Sequence, residues 1–171
     1  MSKKVISFSL DEIDKAIREL EQYKQDFQEK VDTYRKRIAE EIAGSASLNF
    51  GSALIDDRVR GGARRPDVQV SVSDSGNIAV VVADGEDAVW CEFGAGVYHN
   101  GSVGSSPNPY GKKLGFAIGT YGKGYGSRKA WGYYEDGQLV ITRGTPASMP
   151  MYNAVQEVTR KAIEIAREVW Q

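Results

Sequence analysis

Apolar residues in the first forty positions fall at Leu10, Ile13, Ile17, Leu20, Phe27, Val31, Tyr34 and Ile38. The steps alternate three and four and only Lys24 interrupts them, which is the heptad period of a helix with one apolar seam. Ser9-Leu10-Asp11-Glu12 reads as a capping box, the serine hydroxyl accepting from an orphan backbone N–H while Glu12 reaches back. Asp11, Glu12 and Asp14 also suit the positive end of the helix dipole. No glycine or proline occurs from Met1 to Ala43, and Gly44 is placed to end the helix. A helix over 9–43 would run about 50 Å at 1.5 Å per residue. That is more than a small domain covers, so the pattern predicts that part of it packs on a partner or kinks. A stripe packed on the chain's own core would look the same locally.

The end of the chain mirrors the beginning. Ser148-Met149-Pro150 offers a helix start, and Met151, Val155, Val158, Ala162, Ile165 and Val169 again step by four and three, predicting a helix over 149–170. Two seams of one period pack most simply on each other or on a common sheet. Strands lie between them. Val68, Val70 and Val72 alternate with polar residues, and Asp74-Ser75-Gly76-Asn77 turns the chain into Ile78–Ala83. A second hairpin over 130–143 reads Ala130–Glu135, Asp136-Gly137, Gln138–Thr142, with Asp-Gly the strong turn signal. Val89–Phe93 is open between strand and helical turn. The expected fold is α+β, a small antiparallel sheet packed with a long N-terminal and a C-terminal helix in one domain over 1–171.

Composition changes this picture little, but the distribution of charge changes it more. With 171 residues, 41% of them hydrophobic, a single core needs no staple. The 22 basic and 23 acidic residues leave a net charge of −1, so no whole-protein field attracts nucleic acid or membrane. No apolar run approaches the ~20 residues of a membrane span. The basic N-terminus has no apolar stretch behind it, so no signal peptide is expected. The single Cys91 excludes a disulfide framework, and a protein made in the cytosol is expected. From Phe93 to Tyr134, however, there is no acid, while Lys112, Lys113, Lys123, Arg128 and Lys129 contribute +5. The same stretch holds 11 of 19 glycines and 9 of 17 aromatics. Residues 94–129 show little regular pattern and read as a projecting arm that orders on a partner.

Candidate chemistry is sparse. Gly119 and Gly124 have Walker spacing, but Tyr125 and Gly126 follow where lysine and Ser/Thr would hold phosphates. Gly94-Ala95-Gly96 begins like a dinucleotide fingerprint without its third glycine. Cys91, His99 and Glu92 are the candidates for nucleophilic catalysis, but Cys91 sits in an apolar run and reads as a small buried hydrophobe. No ligand spacing suggests a metal. Neither an enzyme nor a cofactor is expected. Tyr110, Lys112, Lys113, Tyr121, Lys123, Tyr125, Arg128 and Trp131 interleave cations with rings. That combination makes protein interfaces and also tracks a phosphate backbone. Protein contact is the favoured reading, with nucleic-acid contact and a solvated loop as the alternatives.

Val89-Trp90-Cys91-Glu92-Phe93-Gly94-Ala95-Gly96 resembles the hydrophobic-Glu-Phe-Gly-Thr segment of the neck and minor tail-component proteins of long-tailed bacteriophages, the tail-completion or head–tail joining group. Thr145-Pro146-Ala147-Ser148-Met149-Pro150-Met151-Tyr152-Asn153-Ala154 is similar in place and character to that family's Pro-Phe-Leu-x-Pro-Ala start of the C-terminal helix. Ala95 replaces the family's threonine, and Asn153 stands where it tends to have proline. The resemblance implies a non-enzymatic virion protein of a phage or prophage, acting by assembly and docking, present in the host cytoplasm during assembly. Its implied partners are copies of itself, in a ring or other homo-oligomer, and neighbouring connector or tail proteins. No cofactor, metal, membrane or small-molecule substrate is implied. The expected interface residues are Glu92, Phe93, Gly94, Pro150 and Met151 in the motifs, with Tyr121, Lys123, Tyr125, Arg128 and Trp131 in the arm. The alternative is a nucleic-acid-binding module that uses the basic aromatic arm.

Overall fold

The computed structural model describes residues 9–57, 62–94, 98–99, 102–103, 106, 108–111, 113–114, 131–142 and 144–171. Its longest element is α1, Leu10–Ser52. The helix does not stop at Gly44 as expected but runs on to Ser52. A helical glycine costs about 1 kcal/mol relative to alanine. Burial of Ala46 and Phe50 beyond it outweighs that cost. The start also differs in detail. Ser9 makes no side-chain cap to the backbone; its hydroxyl donates to the Glu12 carboxylate at 2.8 Å, the stronger acceptor. At the far end the Ala53 N–H donates to the Asn49 and Phe50 carbonyls, and the Arg65 guanidinium donates to the Gly51 carbonyl. Forty-three residues make a helix of about 65 Å.

Among the described residues, four two-stranded antiparallel pairs and two further helices follow. Strands β1 (Ile55–Asp57) and β2 (Gly62–Arg64) pair first, then β3 (Gln69–Ser75) with β4 (Ile78–Asp84). A short helix α2 (Ala88–Phe93) resolves the strand-or-turn ambiguity in favour of a helix. The pair β5 (Tyr98–His99) and β6 (Ser102–Val103) lies within the stretch expected to be patternless. Then come β7 (Trp131–Glu135), β8 (Gln138–Thr142) and the last helix α3 (Pro150–Trp170). The β7–β8 loop is the Asp-Gly pair, with φ of 49° at Asp136 and 78° at Gly137, the double positive φ of a type I′ turn. The fold is α+β, with separate hairpins in place of one continuous sheet.

Helices α1 and α3 pack antiparallel. The Asn49 amide donates to the Pro150 carbonyl, Ser45 to Glu157 and the Tyr34 hydroxyl to the Ala162 carbonyl; Trp170 lies edge-on to Tyr34. The buried face of α3 is Ala154, Val158 and Ile165. Val155, expected in the seam, is exposed, while its neighbour Ala154 is fully buried, as is Ala46 on α1. The inner face of β4, Ala79, Val81 and Ala83, is half-buried toward α1, while Ile78, Val80 and Val82 alternate outward and are exposed. Phe50, Ala53, Ile55, Ala88 and Cys91 form a second cluster at the C-terminal end of α1, with Met151 packed on it.

Candidate functional site

The Glu-Phe-Gly segment lies on α2, and its surroundings explain why it is a helix. The Ala88 N–H donates to the Gly85 carbonyl, Cys91 to Asp87, and Gly94 to Trp90, before Gly94 ends the turn at φ 82°. Ala88, Cys91 and Glu92 then share the buried face, while Val89 turns outward. Asp87 does not cap this helix with its side chain. Its carboxylate accepts two bonds from the Arg64 guanidinium, at 2.5 and 2.9 Å, and one from the Asp67 N–H at 2.9 Å. Those donors, Arg64 first, hold the Asp87 carboxyl below the usual aspartate value against the opposing effect of burial. The clamp fixes β2 to the start of α2.

Glu92 was expected to face a partner. The structure places it inside the chain, 8% exposed, with both carboxylate oxygens occupied. Oε2 accepts the Met151 N–H at 2.8 Å; Oε1 accepts the Tyr152 N–H at 3.0 Å and the Asn108 amide at 2.8 Å. Pro150 opens α3 and has no N–H, so Glu92 satisfies the next two of the helix's unpaired donors. A carboxylate here also meets the positive end of the helix dipole. Burial raises the Glu92 pKa above the ordinary value, and the three donors pull in the opposite direction. The Cys91 carbonyl accepts the Ser148 and Met149 N–H groups at 2.9 and 3.1 Å, which holds Met149 at φ 53°. A left-handed non-glycine residue costs on the order of 1 kcal/mol. This pair of contacts joins α2 to the entry of α3.

Asn108 extends the unit. Its Oδ1 accepts the Tyr110 N–H at 2.9 Å while its amide is on Glu92, so the turn leading to Lys113 is tied to the same node. Sequence reading missed Asn108, Asp87 and Arg64. The Pro107-Asn108-Pro109 triplet was the available signal, a constrained asparagine; nothing local marked the Arg64–Asp87 pair.

The remaining expected residues divide sharply. Gly94 and Pro150 are buried, Phe93 and Met151 half-buried. Tyr121, Lys123, Tyr125 and Arg128 lie outside the described residues, and of Trp131 only the backbone in β7 is described. The arm's role therefore has no structural description. Cys91 is fully buried, and burial, followed by the charges of Asp87 and Glu92 against that of Arg64, pushes its thiol up to about 11. It is a neutral thiol at pH 7. His99 is described only as backbone in β5. Among the described residues no three His, Cys, Asp or Glu side chains gather as a metal site, and no helix is long and apolar enough to cross a membrane.

No family model, curated protein or solved structure matches this chain.

Among the described residues, the first half of α1 carries a row of exposed apolar side chains. Leu10, Ile13, Ile17, Leu20, Tyr23 and Phe27 are all exposed, Leu10 to 81% and Leu20 to 67%. Cover begins where Trp170 meets Phe27, with ring centroids 6.4 Å apart. Intrahelical bonds such as Gln22–Asp26 and Gln25–Glu29 dress its polar side. Exposed apolar patches of this extent are uncommon on monomeric chains.

Proposed function

We propose that this chain is a non-enzymatic structural protein of a bacteriophage or prophage neck or tail, completing the tail or joining it to the head. It acts by assembling with copies of itself and docking on neighbouring connector or tail proteins. One observation carries the reading: the two motif segments behind the resemblance form a single physical unit. Glu92 closes the N-terminus of the helix that opens at Pro150, a contact spanning 59 residues of sequence. A glutamate followed by a glycine, and a proline-led helix far downstream, then have one reason to occur together.

Two further features support the reading. A ring built of head-to-tail contacts needs two different complementary faces per subunit. The bare half of α1 is an apolar face of that kind. A buried Cys91 thiol at about 11 is a poor nucleophile, in keeping with a non-enzymatic role.

Quantitative mass spectrometry of purified tailed particles from the source, induced where the phage is dormant, tests the proposal. The expected result is a fixed stoichiometry of several copies per particle; absence from the particles overturns it. The five cations of the acid-free stretch favour a second reading, a nucleic-acid-binding module. Its signature is affinity that falls steeply with salt as counterions are released. No binding at ~50 mM salt removes it.

A further inference from the structure

We infer that the bare half of α1, residues 10–29, is the docking face for the basic aromatic stretch of a second copy of this chain, residues 110–131. The inference rests on the assembly reading and names the two surfaces that meet.

The helix supplies one half of the match. Its stripe is apolar and exposed from Leu10 to Phe27. Its polar side carries seven carboxylates against three cations over residues 10–29, a net −4. That charge argues against the simplest occupant, the same half-helix of a second copy. Two such helices would bring −4 against −4 and add Lys24 to the seam itself. Like charges along a coiled-coil interface oppose pairing. The occupant this face fits is apolar and basic.

One basic segment of the chain is also rich in aromatic rings. Residues 110–131 hold five cations and no acid, interleaved with Tyr110, Phe116, Tyr121, Tyr125 and Trp131. Where the stretch is described, Tyr110, Lys113 and Leu114 are exposed. Rings can cover the leucine and isoleucine stripe while the cations meet the carboxylates on either side.

Covalent reach excludes the chain's own segment for the first two cations. Asn108 is bonded to Glu92 at the N-terminus of α3, the end of that helix bonded to Asn49. Lys112 and Lys113 follow within five residues, so they stay within about 20 Å of that point. Leu20 lies about 44 Å of helix away from Asn49. Only another copy can bring those cations to it. The contact is heterologous, helix of one copy to stretch of the next, so each copy keeps one free face of each kind and the contact propagates or closes a ring.

Sedimentation of the full chain tests this. At 50 mM NaCl the weight-average mass is expected to rise with protein concentration, and at 500 mM, where the Debye length is only about 4 Å, to return to that of a monomer. Ile17→Glu with Leu20→Glu is expected to weaken association at least about tenfold while leaving helix content and melting unchanged, since both positions are exposed. A charge exchange is the decisive arm. One variant carries Glu19→Lys, Glu21→Lys and Asp26→Lys; the other carries Lys112→Glu, Lys113→Glu, Lys123→Glu and Arg128→Glu. Each alone is expected to be monomeric, and their mixture to associate. A wild type that is monomeric at 50 mM NaCl, a variant that associates as well as wild type, or a mixture that stays monomeric overturns the proposal. Absence from phage particles would overturn the functional reading and leave this association standing; presence in particles with a monomeric chain in solution would do the reverse.

Discussion

The two halves of α1 share one seam and have opposite fates. From Val31 onward the stripe lies against α3 and the β3–β4 hairpin, with Ala39, Ala46 and Phe50 buried. From Leu10 to Phe27 the same period continues and every large apolar side chain is exposed. A heptad pattern therefore states that a helix has a face to cover and is silent on what covers it. The covering depends on lengths: α3 has 21 residues and α1 has 43, so an antiparallel pair leaves about half of α1 beyond the reach of α3. The covered half holds the buried contacts of α1, and the other half keeps its apolar side chains exposed.

Substitutions should separate the halves, the largest effect coming from the covered one. Phe50→Ala removes a buried ring from the second cluster and is expected to cost about 3–5 kcal/mol, read from urea unfolding. A loss below about 1 kcal/mol would mean the covered half is not a packed core. Glu92→Ala strips the acceptor from two helix N–H groups and from Asn108, at an expected cost of about 2–3 kcal/mol. Amide exchange should quicken at Met151 and Tyr152 before it does so elsewhere in α3.

The pH dependence sharpens the same contrast. Asp87 has a depressed carboxyl in the folded chain, so its contribution is present above the ordinary aspartate value of 3.8 and is lost as pH falls through the lower folded value. Glu92 has the opposite sign. Its folded value is raised above the ordinary 4.5, so the folded chain holds that proton more tightly, and its contribution to stability falls as pH rises through the window between the two. Denaturant midpoints measured from about pH 2 to 7 should show a shallower acid-side slope in Asp87→Asn. An unchanged slope would assign the acid sensitivity to other carboxylates.

Gly44 gives a smaller effect of the opposite direction. A Cβ there meets nothing within 4 Å, so Gly44→Ala is expected to stabilise the chain by about 0.5–1 kcal/mol. Destabilisation would show that the helix needs a break the structure does not contain. Leu20→Glu, in the bare half, should move the thermal midpoint of the monomer hardly at all, within about 0.5 kcal/mol. A large loss would mean that this half is covered within the chain after all.

Much of the fold was legible because its signals are local. The seam over 10–38, the Asp136-Gly137 turn, the alternation around Val70 and the proline at the start of the last helix each depend on residues a few positions apart. What failed locally is informative. Gly44 read as an end because glycine usually is one; buried contacts from the following two turns carried the helix past it. Val155 read as core because it fits a three-four period; the rest of that seam lies inward, and at this one turn Ala154 takes the buried position instead.

The candidate site was legible as a motif but not as a mechanism. Glu92 stood out beside Phe93 and Gly94, and reading it as an interface residue followed from the motif it shares with the tail-component proteins it resembles. A carboxylate with three donors waiting inside the chain has no reason to face outward. Those donors sit at positions 108, 151 and 152, and no pattern near Glu92 announces them. The sequence by itself determined the two long helices, the hairpin turns and the acid-free stretch, because propensity, periodicity and charge act within a few residues. Only the tertiary structure decided which half of α1 is bare, which strands lie apart as hairpins, and that Glu92 closes another helix. Those outcomes depend on contacts between segments distant along the chain, where burial and hydrogen-bond satisfaction are settled by the whole packing at once.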